Sequence, residues 1–170
     1  MTEHLKKFIA TGGYLGLMPV APGTFGALWG VGIHLAGWCF LPKDLLVPWL
    51  VAWLFIVSWL NHVLTPWAIE KWRGTARKEG DPGQFILDEI AGYLVVPLVF
   101  QVDPFVAAIY GFLLFRALDI IKIQPARWID RNLHGSWGIL LDDLVSGAYA
   151  GVLLHIAMFF WSVERLLFWL

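Results

Sequence analysis

The chain has 170 residues, about one domain's length, of which 59% are hydrophobic and 15% charged. Soluble domains average about 45–50% apolar and about 25% charged, so this composition, with its 11 tryptophans, favours a membrane protein over an all-helical soluble domain buried in an oligomer. A formal net charge of −1 leaves no basic field for nucleic acid, and Cys39, the single cysteine, excludes an internal disulfide or a cysteine zinc cluster.

Residues 1–170 are expected to form one all-α domain embedded in a membrane, with four to five spanning or interfacial helices. Lys6 and Lys7 precede a Gly/Pro loop rather than a long apolar core, so no cleavable signal peptide is expected. A span needs about 20 mostly apolar residues, and roughly 17 at the least. The first candidate, 26–41, is glycine-rich and marginal, and suits a re-entrant or interfacial helix as well. Segment 45–64 is the clearest. Segments 85–101 and 104–121 follow as a hairpin around Val102-Asp103, and 144–161 is the last.

Basic residues set the orientation, because Lys and Arg stay on the cytoplasmic side. Lys6, Lys7, Lys71, Arg73, Arg77, Lys78, Lys122, Arg127 and Arg131 fall on one side of this arrangement, against Lys43 and Arg165 on the other. Nine against two predicts a cytoplasmic N-terminus. The same topology gathers the acidic residues. Asp81, Asp88, Glu89, Asp119, Asp130, Asp142 and Asp143 all come to the cytoplasmic end of the bundle. Carboxylates leave water only at high cost unless a cation or hydrogen-bond donors compensate. Seven at one bilayer surface therefore point to metal and phosphate chemistry.

Each motif also has a plainer reading. Pro82-Gly83 is expected to turn the chain into a helix with Asp81 as its N-cap. Asp88 and Glu89 are then expected beyond the first turn, where capping does not explain them. Gly92, four residues after Asp88, lets another helix or a lipid headgroup come close to that carboxylate. Arg116, Asp119 and Lys122 recur at spacings of three along one helix side. They read either as intrahelical pairs or as a phosphate clamp. Residues 127–132 read as an interfacial segment with Trp128 at headgroup depth, where Arg127 and Arg131 meet anionic lipid. Residues 134–138 read as a flexible turn before Asp142-Asp143, a pair hard to ionise together without a cation. The loop around Pro19 to Thr24 reads as punctuation before a helix or as a donor of backbone N–H groups to phosphate. No nucleotide phosphate loop, serine-hydrolase elbow or zinc-protease helix motif occurs. Hard oxygen ligands with arginines remain, and these suit Mg²⁺ and phosphate esters.

These blocks resemble the bacterial phosphatidylglycerophosphatase A family. The likeness covers most of the chain. It rests on Ala21-Pro22-Gly23-Thr24, Asp81-Pro82-Gly83 with 87–92, Phe115-Arg116 with Asp119 and Lys122, and 127–132 with His134-Gly135, Gly138-Ile139 and Asp142-Asp143. Ser136, Ile123-Gln124 and Gln84 depart from the family's usual residues, and none of these removes a charged motif residue. The resemblance implies a Mg²⁺-dependent, multi-pass enzyme of the bacterial inner membrane, with its active site facing the cytoplasm. It would convert phosphatidylglycerol phosphate to phosphatidylglycerol and inorganic phosphate. Asp88, Glu89, Asp142 and Asp143 are assigned to catalysis and metal, and Arg116, Lys122, Arg131 and His134 to the substrate phosphate. Asp81, Asp119, Asp130 and Thr24 are assigned supporting roles. The nucleophile, a metal-activated water or an aspartate, stays open, as does a homo-oligomeric state. The rival from another class is a small ion or proton transporter, which needs acids near the bilayer midplane. A non-catalytic lipid-binding scaffold is the third reading.

Overall fold

Long apolar runs become helices here, and glycine and proline pairs separate them. The computed structural model describes residues 1–74 and 82–168, with side chains through Trp161, and is helical throughout these segments with no strand. Helix α1 (Glu3–Ala10) starts on Thr2, whose Oγ1 accepts the Leu5 N–H at 3.4 Å. A turn through Gly12 and Gly13, both at positive φ, and a short 3₁₀ turn at Leu15–Leu17 lead into α2 (Pro22–Phe40). Proline suits that first position because its missing N–H would find no partner there in any case. The helix therefore begins before the expected residue 26.

Helix α3 (Lys43–Lys71) has 29 residues, about 43 Å at 1.5 Å per residue. Glu3 ties α1 to its end, lying 3.5 Å from Lys71 and accepting the Trp67 Nε1–H at 2.9 Å. Helix α4 (Leu87–Val99) is short. Asp103 caps α5 (Pro104–Ile121), its Oδ1 accepting from the N–H groups of Phe105 and Val106 at 2.8 and 2.9 Å. A π-helical turn at Ala107–Gly111 lies within α5. Helix α6 (Ala126–Asn132) precedes the long α7 (Gly135–Phe168).

Three of these, Lys43–Lys71, Pro104–Ile121 and Gly135–Trp161, are long and apolar enough to cross a membrane. Phe55 and Trp59 on α3, Ile109 and Leu113 on α5, and Phe159 and Phe160 on α7 stay exposed on the outer surface. Such apolar faces suit lipid rather than water. The expected span at 85–101 is corrected. With 13 residues, or about 20 Å, α4 is too short to cross. It is instead the centre of the bundle, with nine of its residues buried. Leu87, Ala91 and Leu94 pack with Val57, Leu64 and Ala68 of α3. Tyr93 and Val96 pack with Phe115 of α5 and Leu154 of α7. A short helix shielded on all sides by apolar neighbours has the same hydropathy as a lipid-facing span, and its sequence alone reads as one.

Helices α4 and α7 touch backbone to backbone. A Cβ at Gly147 would run into the Gly92 carbonyl oxygen and lie 3.0 Å from its carbon. Small residues at such crossings replace the hydrophobic drive that lipid cannot supply. Gly92 thus admits a helix, one of the two neighbours its position allowed.

Candidate active site

Helix α4 begins at Leu87 with Ile86 as N-cap, so two expectations change. Asp88 and Glu89 lie in the first turn, not beyond it, and favourable interaction with the helix dipole accounts for part of their placement. The N-cap expected of Asp81 falls to Ile86, and Asp81 itself lies outside the described residues. The supposed flexible turn at 134–138 is likewise corrected, because α7 already begins at Gly135. Asp142 and Asp143 are therefore held on a rigid helix rather than next to a loop.

Three helices bring the charges together. Asp88 and Glu89 come from the start of α4, Arg116 and Asp119 from the last turns of α5, and Asp142 and Asp143 from α7. Asp88 is 7% exposed, Asp119 9%, and Asp142 and Asp143 3% each. Arg116 Nη1 lies 2.9 Å from Asp119 Oδ2. Lys122 ends α5 in the left-handed region at φ 51°, which swings its ammonium towards α7. There it bonds Asp142 Oδ2, with Asp119 Oδ1 at 3.3 Å and Asp130 Oδ1 of α6 at 3.7 Å. Burial opposes the lysine's charge, but the carboxylates of Asp142, Asp119 and Asp143 outweigh it and raise its pKa above the ordinary range. Arg127 secures this bend, donating from Nε to the Lys122 carbonyl at 3.0 Å and from Nη2 to that of Ile121 at 3.1 Å. The sequence reading gave Arg127 to the lipid surface and missed this role.

Among the described residues, six carboxylates thus face two cations, Arg116 and Lys122, within one largely buried cluster. In each of two triads, Asp88, Glu89 and Asp143, and Asp119, Asp142 and Asp143, one oxygen from each residue lies within 4.8 Å of the other two. The Lys122 ammonium serves the second. Asp142 Oδ1 and Asp143 Oδ2 are buried and accept no hydrogen bond from a described residue. Burying such oxygens without a partner is costly. Carboxylate-only donors with uncommitted oxygens fit a hard divalent cation such as Mg²⁺.

Beside the cluster opens a cleft of about 360 Å³, walled by residues 16–19 and 21–23, Gly83, Gln84, Glu89 and Arg116. Gly23, in the first turn of α2, lies against Glu89 and Arg116, and a Cβ there would come within 2.9 Å of Arg116 Nη2. Arg116 Nε and Nη1 are buried and donate no hydrogen bond to a described residue, although Nη1 keeps its ion-pair distance to Asp119. Thr24 follows Gly23 half-buried, its N–H donated to Ala21 O at 3.0 Å. Arg131 and His134 are exposed at the end of α6 and in the link to α7, outside the buried cluster. Gln84 was not singled out for this place, and Gly23 only as part of a loop that could offer N–H groups to phosphate, since only the folded loop sets them beside Glu89.

A helical membrane protein with a carboxylate-rich centre beside an arginine-lined cleft belongs with the lipid phosphatases, and the comparisons with known proteins agree. The family model described as Phosphatidylglycerophosphatase A matches residues 8–158, and the chain belongs to that family. It is 31% identical over 157 residues to the Escherichia coli K12 phosphatidylglycerophosphatase A, covering 91% of this chain and 84% of the relative. It is 32% identical over 158 residues to a Bacteroides thetaiotaomicron protein named as a candidate phosphatidylinositol-3-phosphatase, covering 91% and 94%. The Haemophilus influenzae phosphatidylglycerophosphatase A is 29% identical over 176 residues, covering 96% and 100%. No solved structure matches the chain.

Proposed function

We propose that the chain is a Mg²⁺-dependent phosphatase that removes the terminal phosphate of phosphatidylglycerol phosphate at the cytoplasmic face of the bacterial inner membrane. One observation carries this reading. Arg116 Nε, a buried donor with no acceptor among the described residues, lies in the wall of a cleft beside Asp142 Oδ1 and Asp143 Oδ2, buried oxygens with no donor among the described residues. A phosphate monoester would satisfy the arginine donor, and a divalent cation would satisfy the carboxylate oxygens. Family membership supports the lipid substrate, and the basic residues Lys122, Arg127 and Arg131 at the end of the bundle that carries the cluster support the orientation.

Asp88, Glu89 and Asp143 would hold the ion, with Asp142 beside them and bonded to Lys122. When bound, Mg²⁺ supplies positive charge to the phosphoryl oxygens and lowers the pKa of water. Arg116 grips the terminal phosphate with its planar fork, and Lys122 adds a point charge. Both offset the charge that develops during transfer. In the direct route the oxygen of water bonds phosphorus as the bond to the lipid alcohol breaks. The products are inorganic phosphate and the protonated alcohol. In the covalent route an aspartate oxygen attacks first and water then cleaves the aspartyl phosphate. Acid quench of a turnover mixture separates them, because a trapped phosphoaspartate eliminates the direct route.

The Bacteroides relative favours a second substrate reading, an inositol lipid phosphate. Phosphate release in detergent micelles, with Mg²⁺ and then excess EDTA, tests both. Mg²⁺-dependent release from phosphatidylglycerol phosphate that exceeds release from phosphatidylinositol 3-phosphate is expected. No release from either lipid by folded protein overturns the phosphatase reading and favours the transporter.

A further inference from the structure

Eleven described residues wall the cleft beside the carboxylate cluster, and three of these carry polar side chains: Gln84, Glu89 and Arg116. The latter two belong to the phosphate chemistry. Among the described residues, Gln84 is left as the one neutral hydrogen-bonding side chain in the wall. Its position is fixed by the backbone on both sides. The Gln84 carbonyl lies directly under Gly16, where a Cβ would collide with it, and the Phe85 and Ile86 N–H groups bond the Pro82 and Ala10 carbonyls at 2.9 and 3.2 Å. The side chain on this anchored backbone is not anchored itself. Its Oε1 is buried and accepts no hydrogen bond from any described residue. An amide oxygen out of water without a partner is unfavourable, and the last side-chain torsion of glutamine is soft enough to turn the amide into the cleft.

We propose that Gln84 is the specificity residue of the cleft, hydrogen-bonding the hydroxyl of the head-group alcohol that carries the terminal phosphate. This rests on the lipid phosphatase reading and deepens it. With the phosphate held at Arg116, the rest of the head group lies along the cleft, between the apolar loop wall and Gln84. A polyol head group has a hydroxyl to offer there. A simple alkyl phosphate has none, and leaves the amide oxygen buried and unmatched. Sites built to hydrogen-bond a substrate hydroxyl reject the analogue that lacks it far more strongly than apolar pockets reject a missing methylene.

The test compares phosphatidylglycerol phosphate with its analogue built on propane-1,3-diol, which lacks only the central hydroxyl. kcat/KM is measured for the wild type, Gln84→Leu and Gln84→Glu in micelles with Mg²⁺. The wild type is expected to favour the natural lipid by well over about 10²-fold. Gln84→Leu is expected to fall to the analogue's level on the natural lipid and to show no preference. Gln84→Glu keeps an acceptor and is expected to keep the preference, with a raised KM from repulsion of the phosphate. A preference retained in Gln84→Leu, or absent from the wild type, overturns the assignment while leaving the phosphatase reading in place. Equal loss of preference in both variants shows that the position acts through packing and also overturns it. A wild type silent on both lipids removes the assignment and the phosphatase reading together.

Discussion

Gly147→Ala is the sharpest probe of how the fold serves the site. Gly147 lies one helical turn after Asp143, and its contact Gly92 lies one turn after Asp88. The added Cβ would overlap the Gly92 carbonyl oxygen and come within 3.0 Å of its carbon and 3.2 Å of Val95 Cβ. Backbone atoms of a central helix cannot rotate away, so α7 has to separate from α4 by about 1 Å, and overpacking of this kind costs about 1–3 kcal/mol. That corresponds to a Tm lower by roughly 3–9 °C for a chain of this size. The same displacement pulls Asp143 from Asp88, and a misplacement of about 1 Å is expected to lower kcat/KM by about 10²-fold. Thermal unfolding in detergent and phosphate release at several Mg²⁺ concentrations measure both effects. Gly32→Ala on α2 is the control, because a Cβ there meets nothing within 4 Å and the helix gains about 1 kcal/mol of propensity. A Gly147→Ala protein with wild-type Tm and turnover would refute the backbone crossing as the device that sets the two carboxylates.

Three further predictions concern the cluster. Lys122→Met removes the cation shared by Asp119, Asp130 and Asp142; it is expected to destabilise the protein by about 3 kcal/mol, and an unchanged Tm would show that the carboxylates do not need it. Asp142→Asn is expected to lower kcat by about 10²-fold or more with the protein still inserted and helical by circular dichroism; near-normal turnover removes Asp142 from the site. Mg²⁺ at 100 times its Kd is expected to stabilise the wild type by about 2.7 kcal/mol. Asp143→Asn, which removes a carboxylate common to both triads, is expected to abolish that Mg²⁺-dependent rise in Tm, and a full rise in the variant would place the ion elsewhere.

Much of this architecture is readable from residues taken singly or in short runs. Apolar content along the chain locates the long helices α3, α5 and α7, because lipid exposure demands the same side chains at every turn. Spacing places Arg116, Asp119 and Lys122 on one helix side, although the common end expected for Asp88 and Asp142 rests on a span at 85–101 that the structure does not keep. Such features depend only on local chemistry and on the order of hydrophobic segments.

Other properties depend on contacts between segments distant in the chain. Hydropathy is the same for a helix bathed in lipid and one enclosed by protein, so only the packed bundle shows α4 to be a short central helix. The start of α4 at Leu87 and of α7 at Gly135 depends on what Ile86 and Gly138 pack against. Gly138, for example, lies against the Leu133 backbone. The left-handed turn at Lys122 decides that its ammonium reaches Asp142 rather than solvent. Tertiary approach alone puts Gly23 and Gln84 beside Glu89. Sequence alone therefore determined a helical membrane protein with its carboxylates in a few short blocks. Only the three-dimensional crossing of α4, α5 and α7 decided which oxygens share a cation and which face a cleft, because a few ångströms of backbone separation set that choice.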